Sequence, residues 1–297
     1  MTFAPTDFLW DSAKANGVSV RSYGERGVNT ITPAKATWTD IYNDWKNGSS
    51  KVKIEPRAII VGVRDVYSST YPAFEMRVPD QYRVEAFLKD FREFEKNGNL
   101  PRLVILLLPS DHTSGTSPGL PTPRAQVADN DLALGRIVQE ISRSRYWKQS
   151  AILVVEDDAQ SGLDHVSGHR TVALAIGPYV RRGAVDSAFY TTINMYRTIE
   201  QILGLPPSNQ FDLAAEPMFT SFTAAPDFSP YTALPARIAL DEMNPPRAGL
   251  KGLQKELAEA SLRMDFSEPD AAPEDVLNRA IWHSVKGYGT RYPMVGK

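Results

Sequence analysis

Three consecutive carboxylates, Glu156-Asp157-Asp158, follow directly on the apolar run Ala151-Ile152-Leu153-Val154-Val155, and Asp164-His165 and His169 come soon after. A second acidic corner, Pro109-Ser110-Asp111-His112-Thr113, follows another apolar run from Leu103 to Leu108. Carboxylate oxygens combined with imidazole nitrogens suit a divalent cation such as Zn, Mn, Fe or Mg. A metal held there would polarise a phosphoryl or acyl oxygen and activate a nucleophile. Burying even one unpaired carboxylate is costly, so three at the end of a buried strand call for a compensating cation. The chain has four histidines, and three of them, His112, His165 and His169, fall in or just beyond these two corners.

Plainer readings compete with that one. An Asp-Asp pair at a strand end often serves as a helix cap or a solvated turn, and a single Asp-His pair means little alone. Two acidic corners sharing three histidines favour a metal or catalytic site. Glu156 is set apart, because alternation along a strand sends it to the opposite face from Asp157. A capping or ion-pairing role fits it better than ligation. His283, within Ile281-Trp282-His283-Ser284, falls in a peripheral helix and reads as structural. Arg181-Arg182 reads as a solvated pair after a strand, with a phosphate contact as the alternative.

The elements that must position these residues follow an alternating rhythm. A short helix spans Thr6 to Gly17, and Val18 to Tyr23 alternates like a half-buried strand. From Gly24 to Pro56 the text is polar and irregular, apart from a short helix around Asp40 to Lys46. Ala58 to Val63 reads as a strand. Asp80 looks like the N-cap of a helix with Val84, Phe87, Leu88, Phe91 and Phe94 on one face, stopped by Gly98. Leu103 to Leu108 is a further strand, followed by a helix with Leu134, Ile137, Val138 and Ile141 inward. Ala151 to Val155 and Thr171 to Ile176 are strands, and Thr192 caps a helix closed by Gly204. Strand and helix in alternation predict an α/β fold with a mostly parallel sheet and helices on both faces. In such a sheet, sites lie outside the carboxyl ends of the strands, which would bring both acidic corners to one edge. The α/β unit covers 1–216. A peripheral loop and a helical extension, Lys251 to Met264 and Glu274 to Ser284, occupy 217–297 of the same domain.

Composition removes several classes of function. Lys and Arg number 33 against 35 Asp and Glu, a net charge of -2 that offers no basic surface for nucleic acid or an anionic membrane. There is no cysteine, so disulfides, thiolate metal sites and cysteine nucleophiles are absent together. No apolar run approaches the ~18 residues that read as a membrane span. The opening Met1-Thr2-Phe3-Ala4-Pro5 has neither a basic nor an apolar segment, so no signal peptide is expected in this stretch.

Taken as a set, several motifs resemble the bacterial phosphoesterase family. They are Leu108-Pro109-Ser110-Asp111-His112-Thr113, Pro121-Thr122-Pro123-Arg124, Ala128-Asp129-Asn130-Asp131-Leu132-Ala133-Leu134-Gly135, Val155-Glu156-Asp157-Asp158-Ala159-Gln160 and Asp164-His165-Val166-Ser167-Gly168-His169-Arg170-Thr171. That family includes phosphatidylcholine-type phospholipases C and an acid phosphatase, within the alkaline phosphatase superfamily. The likeness runs from about Phe8 to Pro293. It also takes in Arg21-Ser22-Tyr23-Gly24-Glu25 and Trp282-His283-Ser284-Val285-Lys286-Gly287-Tyr288. The resemblance implies an α/β/α sandwich and hydrolysis of a phosphoester small molecule or phospholipid with a divalent metal of unstated identity. It implies a ligand role for Asp157 and Asp158. Asp111 and His112 match the earlier metal motif, while Asp164, His165 and His169 match the later one as metal or phosphate contacts. Export is common in the family, which implies a periplasmic or secreted setting.

The same resemblance also points to a gap. The family places a Glu-Asn metal pair and a Ser or Thr nucleophile before the position of Phe8, and no Glu-Asn dipeptide occurs in this sequence. The expectation is therefore the C-terminal part of a longer phosphoesterase, incomplete at the N-terminus, weak or inactive alone and partnered by a missing N-terminal segment. A non-catalytic metal- or phosphate-binding remnant is the alternative. A serine hydrolase using His165 or His169 is the third and disfavoured reading.

Overall fold

The computed structural model describes residues 8–157, 170–268 and 271–293. Helix α1 (Leu9–Ala15) buries Trp10 and Ala13. Gly17, at φ 70°, then takes the left-handed turn that sends the chain into β1 (Val20–Tyr23). A hairpin follows, β2 (Gly27–Thr32) and β3 (Lys53–Ala58), antiparallel with Gly27 opposite Ala58 and Thr32 opposite Lys53. Between its strands lies α2 (Trp38–Asn47), begun by Thr37 and Asp40 in a reciprocal cap and ended by left-handed Gly48.

The long helix α3 (Asp80–Asn97) leads to β4 (Leu103–Leu106), which pairs in parallel with β1, Val20 against Leu103 and Tyr23 against Leu106. On its other edge β1 forms an isolated parallel bridge, Ser22 to Tyr67. Helix α4 (Pro123–Arg143) starts with proline in its first turn behind the Thr122 cap, where a missing N–H costs nothing. Then come β5 (Ile152–Val155) and β6 (Ala173–Ile176), antiparallel to each other. Helix α5 (Thr192–Leu203) starts where the Asn194 side chain accepts the Thr191 N–H at 2.7 Å, and Gly204 closes it. Short α6 (Gln210–Ala214), α7 (Gly252–Ser261) and α8 (Glu274–Lys286) complete the described chain.

Three apolar clusters hold these pieces. Trp10, Ala13, Val18, Val20, Val63, Tyr67, Leu103 and Leu205 join α1 to one face of the β1–β4 pair. Tyr23, Tyr71, Val84, Phe87, Leu88, Phe91, Ala133 and Ile137 join α3 and α4 to its other face. Helices thus cover both sides of the parallel pair. Ile31, Ala36, Ile41, Val52, Ile54 and Val78 form the core under the hairpin and α2. Each large aliphatic or aromatic side chain so buried contributes on the order of 1.5–3 kcal/mol.

The fold is mixed α/β, and it departs from expectation in four places. The described strands form three two-stranded pairings, and only β1–β4 is parallel, so an extended parallel sheet is not formed among the described residues. The 151–155 run is a strand, but its partner β6 is antiparallel and its side chains are only partly buried. A continuous apolar run fixes neither strand direction nor depth, which explains the misreading. Ala58 to Val63 is not a strand: β3 ends at Ala58, and Val61–Val63 is a single 3-10 turn. The polar stretch from Gly24 to Pro56 does contain a strand, β2, whose exposed face carries Thr30 and Thr32 and so hid it.

Candidate functional site

Asp111 stands on the 3-10 turn Ser110–His112 just beyond β4. Beneath that turn lies a buried polar network in which every member has a partner. The Asp129 carboxylate, from the second turn of α4, accepts the N–H groups of Asp80 at 2.6 Å and Gln81 at 3.2 Å. It therefore caps the start of α3, supplying an acceptor where the helix has none of its own. Asp80, read as a cap from the sequence, is instead the first helical residue, and Pro79 precedes it. Its carboxylate turns inward to Arg83 Nη1 at 3.1 Å and to the Ser110 N–H at 3.0 Å. Arg83 is fully buried and also donates to the carbonyls of Pro72, Ala73, Glu75 and Val78.

The guanidinium pairs with Asp80, and the nearby Asp129 carboxylate leaves the network with an excess of negative charge. Burial pushes the Asp80 carboxyl up to about 7, against the pull of Arg83 and with the help of Asp129. Burial raises Asp129 too, opposed by the donors it accepts. From α4, Asn130 reaches to the rim: its amide nitrogen lies 3.1 Å from Asp80 Oδ2, 2.8 Å from the Leu108 carbonyl and 3.2 Å from Asp111 Oδ1.

At the rim several carboxylates come near one another. Burial raises the Asp111 pKa, and the carboxylates of Glu156 and, more weakly, Asp157 raise it further. The two acidic corners read from the sequence thus lie within electrostatic reach of each other. Glu25 joins them: burial raises its pKa, Arg26 opposes the rise and Asp157 adds to it. The Glu156 carboxylate and carbonyl both accept from the Thr171 hydroxyl at 3.3 and 3.0 Å.

His112 is exposed on the same turn as Asp111. Its Nδ1 lies 3.1 Å from the Thr113 carbonyl, and its ring meets Phe74 edge-on with centroids 5.3 Å apart. A carbonyl only accepts, so Nδ1 is the donor in this contact. Thr113 has φ 56° and ψ 166°, a region a β-branched residue enters only under constraint. Three groups supply that constraint just downstream. The Ser114 N–H donates to Gln126 Oε1 at 2.8 Å. Asn244 Nδ2 donates to the carbonyls of Gly115, Ser117 and Pro121. Glu242 binds the Thr122 hydroxyl and both nitrogens of the Arg124 fork.

Asp158, Asp164, His165 and His169 lie outside the described residues. Among those described, no three His, Asp or Glu side chains stand close enough to hold one metal ion. The donor chemistry of Asp111, Glu156 and Asp157 is that of a hard divalent cation, but the described part of the site is not a complete cage.

The sequence model of the Phosphoesterase family matches residues 10–206. The chain belongs to the phosphoesterase family. No curated protein matches it. The matched span of this phosphoesterase runs from α1 to the end of α5, and so includes both acidic corners and the network beneath them. Glu242 and Asn244, which brace the loop leaving Asp111, lie outside it. So does His283 of α8, which is buried with its ring 6.2 Å from Tyr288 and has the structural role read for it. Arg181 and Arg182 are tied to the following segment, Arg181 to the Phe222 carbonyl and Arg182 to Asp227 and the face of Tyr231. Family membership gives the phosphoesterase-type function and its ester substrates. Among the described residues no helix is long and apolar enough to cross a membrane.

Several residues of this site had no role in the sequence reading. Asp129 and Asn130 were quoted only as part of a motif, and Gln126 not at all. A signal existed, because Gln126, Asp129, Ala133 and Ile137 repeat at helical spacing along the buried stripe of α4. Polar residues on an inward stripe must be satisfied by partners from elsewhere in the fold.

Proposed function

We propose that this phosphoesterase hydrolyses phosphoric esters with a divalent cation held between the Asp111 corner and the end of β5. The observation that carries the reading is the nearness of the half-buried Asp111, on the turn beyond β4, to the Glu156 and Asp157 carboxylates at the end of β5. Their mutual repulsion is relieved by a cation at their centre. Asp111 and Asp157 would hold the ion, with Asp158 and His112 as further ligands and Asp164, His165 and His169 as metal or phosphate contacts. When bound, the ion would supply Lewis acidity toward the phosphoryl oxygens. Glu156 and Glu25 keep the local field negative, and Asn130 fixes one oxygen of Asp111.

The attacking group is not assigned. Ser110, the hydroxyl nearest Asp111 in sequence, is buried and donates to Asp129 Oδ2 at 3.0 Å. It belongs to the network rather than to a nucleophile–base pair. That commitment favours a second reading, cation binding without turnover by this chain. Calorimetry with Mn2+, alongside hydrolysis of p-nitrophenyl phosphate, separates the two. The main reading expects Mn2+ binding that Asp111→Asn and Asp157→Asn each weaken. It further expects metal-dependent hydrolysis when the chain is co-expressed with a segment carrying a Glu-Asn pair and a Ser or Thr nucleophile. Binding with no hydrolysis under either condition selects the second reading. No binding at all refutes both.

A further inference from the structure

We infer that Asn130 is the positioning residue of the cation site, acting through Asp111; this rests on the proposed metal reading. The three groups around its amide nitrogen are the Asp80 carboxylate, the Leu108 carbonyl and the Asp111 carboxylate, and all of them are acceptors. The amide orientation is therefore fixed by chemistry, with nitrogen toward the turn. Two N–H bonds serve three acceptors, so Asn130 ties the last residue of the apolar run, the buried network and the rim carboxylate to a single point on α4. A carboxylate at position 130 would set a third negative charge between Asp80 and Asp111, and a hydrocarbon would take the Asn130 donor from the Leu108 carbonyl and cut the tie from α4 to Asp111. Among side chains of this length, only a neutral donor bridges the two acids.

The consequence is directional. One oxygen of Asp111 is held at 3.2 Å by a donor whose own position is set by Asp80, itself locked to Arg83 with both side chains fully buried. The rim carboxylate inherits the rigidity of the core, although it lies on a short turn next to the constrained Thr113. Donors behind metal ligands of this kind alter metal affinity by about 10–100-fold when removed.

The test is a double-mutant cycle in Mn2+ affinity, read by calorimetry on the full chain with Asn130→Ala, Asp111→Asn and the pair together. Asn130→Ala is expected to weaken Mn2+ binding by about tenfold or more. In the Asp111→Asn background it is expected to cost nothing further, because its effect passes through Asp111. A residue that merely supports the fold would give losses that multiply. Multiplying losses, or a change of less than about twofold in the single variant, overturn the inference while leaving the metal reading intact. Absence of Mn2+ binding in the unmodified chain overturns both. If Asn130→Ala does not fold, Asn130→Ser, which keeps a donor, is put through the same cycle. Failure of both variants to fold assigns Asn130 to the fold alone and overturns the inference.

Discussion

Replacing Arg83 with methionine tests the electrostatic account of the core most severely. The guanidinium contacts the Asp80 carboxylate and four main-chain carbonyls, and Arg83 and Asp80 are both fully buried. Removing one member of a buried ion pair costs about 3–5 kcal/mol. Each orphaned buried carbonyl adds roughly 1 kcal/mol or more. A loss above ~5 kcal/mol would consume much of the 5–15 kcal/mol that stabilises a typical domain. Protonation of Asp80 limits the damage. Its folded pKa, about 7, is raised above the ordinary aspartate value of 3.8, so its favourable contribution is fully present below pH 4 and is lost as pH rises toward and through 7. Without Arg83, which lowers that pKa, the ionised form is harder still to bury. The destabilisation by Arg83→Met is therefore larger at pH 8 than at pH 5, by about 1.4 kcal/mol for each unit by which the Asp80 pKa rises. Urea denaturation of both proteins at the two pH values measures it. Equal losses at pH 5 and pH 8, or a loss below about 1 kcal/mol at either, would refute the assignment of Asp80 as the group in question.

Two further substitutions probe the supports of the site. Asn244→Ala removes donors to three carbonyls of the loop leaving Asp111, so cleavage within 113–121 by limited proteolysis should rise at least severalfold while far-UV dichroism stays unchanged. An unchanged cleavage pattern would show that Glu242 and Gln126 suffice. At Gly27 a Cβ would overlap the Tyr67 hydroxyl and ring, so Gly27→Ala should cost on the order of 1–3 kcal/mol, and adding Tyr67→Phe should recover part of it. No recovery in a thermal melt would place the strain elsewhere.

Much of the fold was legible where burial speaks through periodicity. Helix α3 shows Val84, Phe87, Leu88 and Phe91 at regular spacing and stops at Gly98 as the pattern predicts. The β1–β4 pair is parallel, as the intervening helix requires. What stayed hidden depends on long-range pairing. Nothing local tells that the Ile152–Val155 strand meets its partner antiparallel, or that Asp129, 49 residues beyond Asp80, provides the cap of α3. The acidic corners were legible as types and spacing. Their closeness was not, because it depends on how segments far apart in the chain come together. The brace at Glu242 and Asn244 joins residues more than a hundred positions apart, and no motif marked it.

Anomalous diffraction at the manganese edge, from crystals of this chain soaked in Mn2+, most directly tests the meeting of the two acidic corners. The account predicts a peak within ligand distance, about 2–2.3 Å, of carboxylate oxygens from both Asp111 and Asp157. A map with no peak there, with Asp111 and Asp157 turned to bulk water, would contradict it.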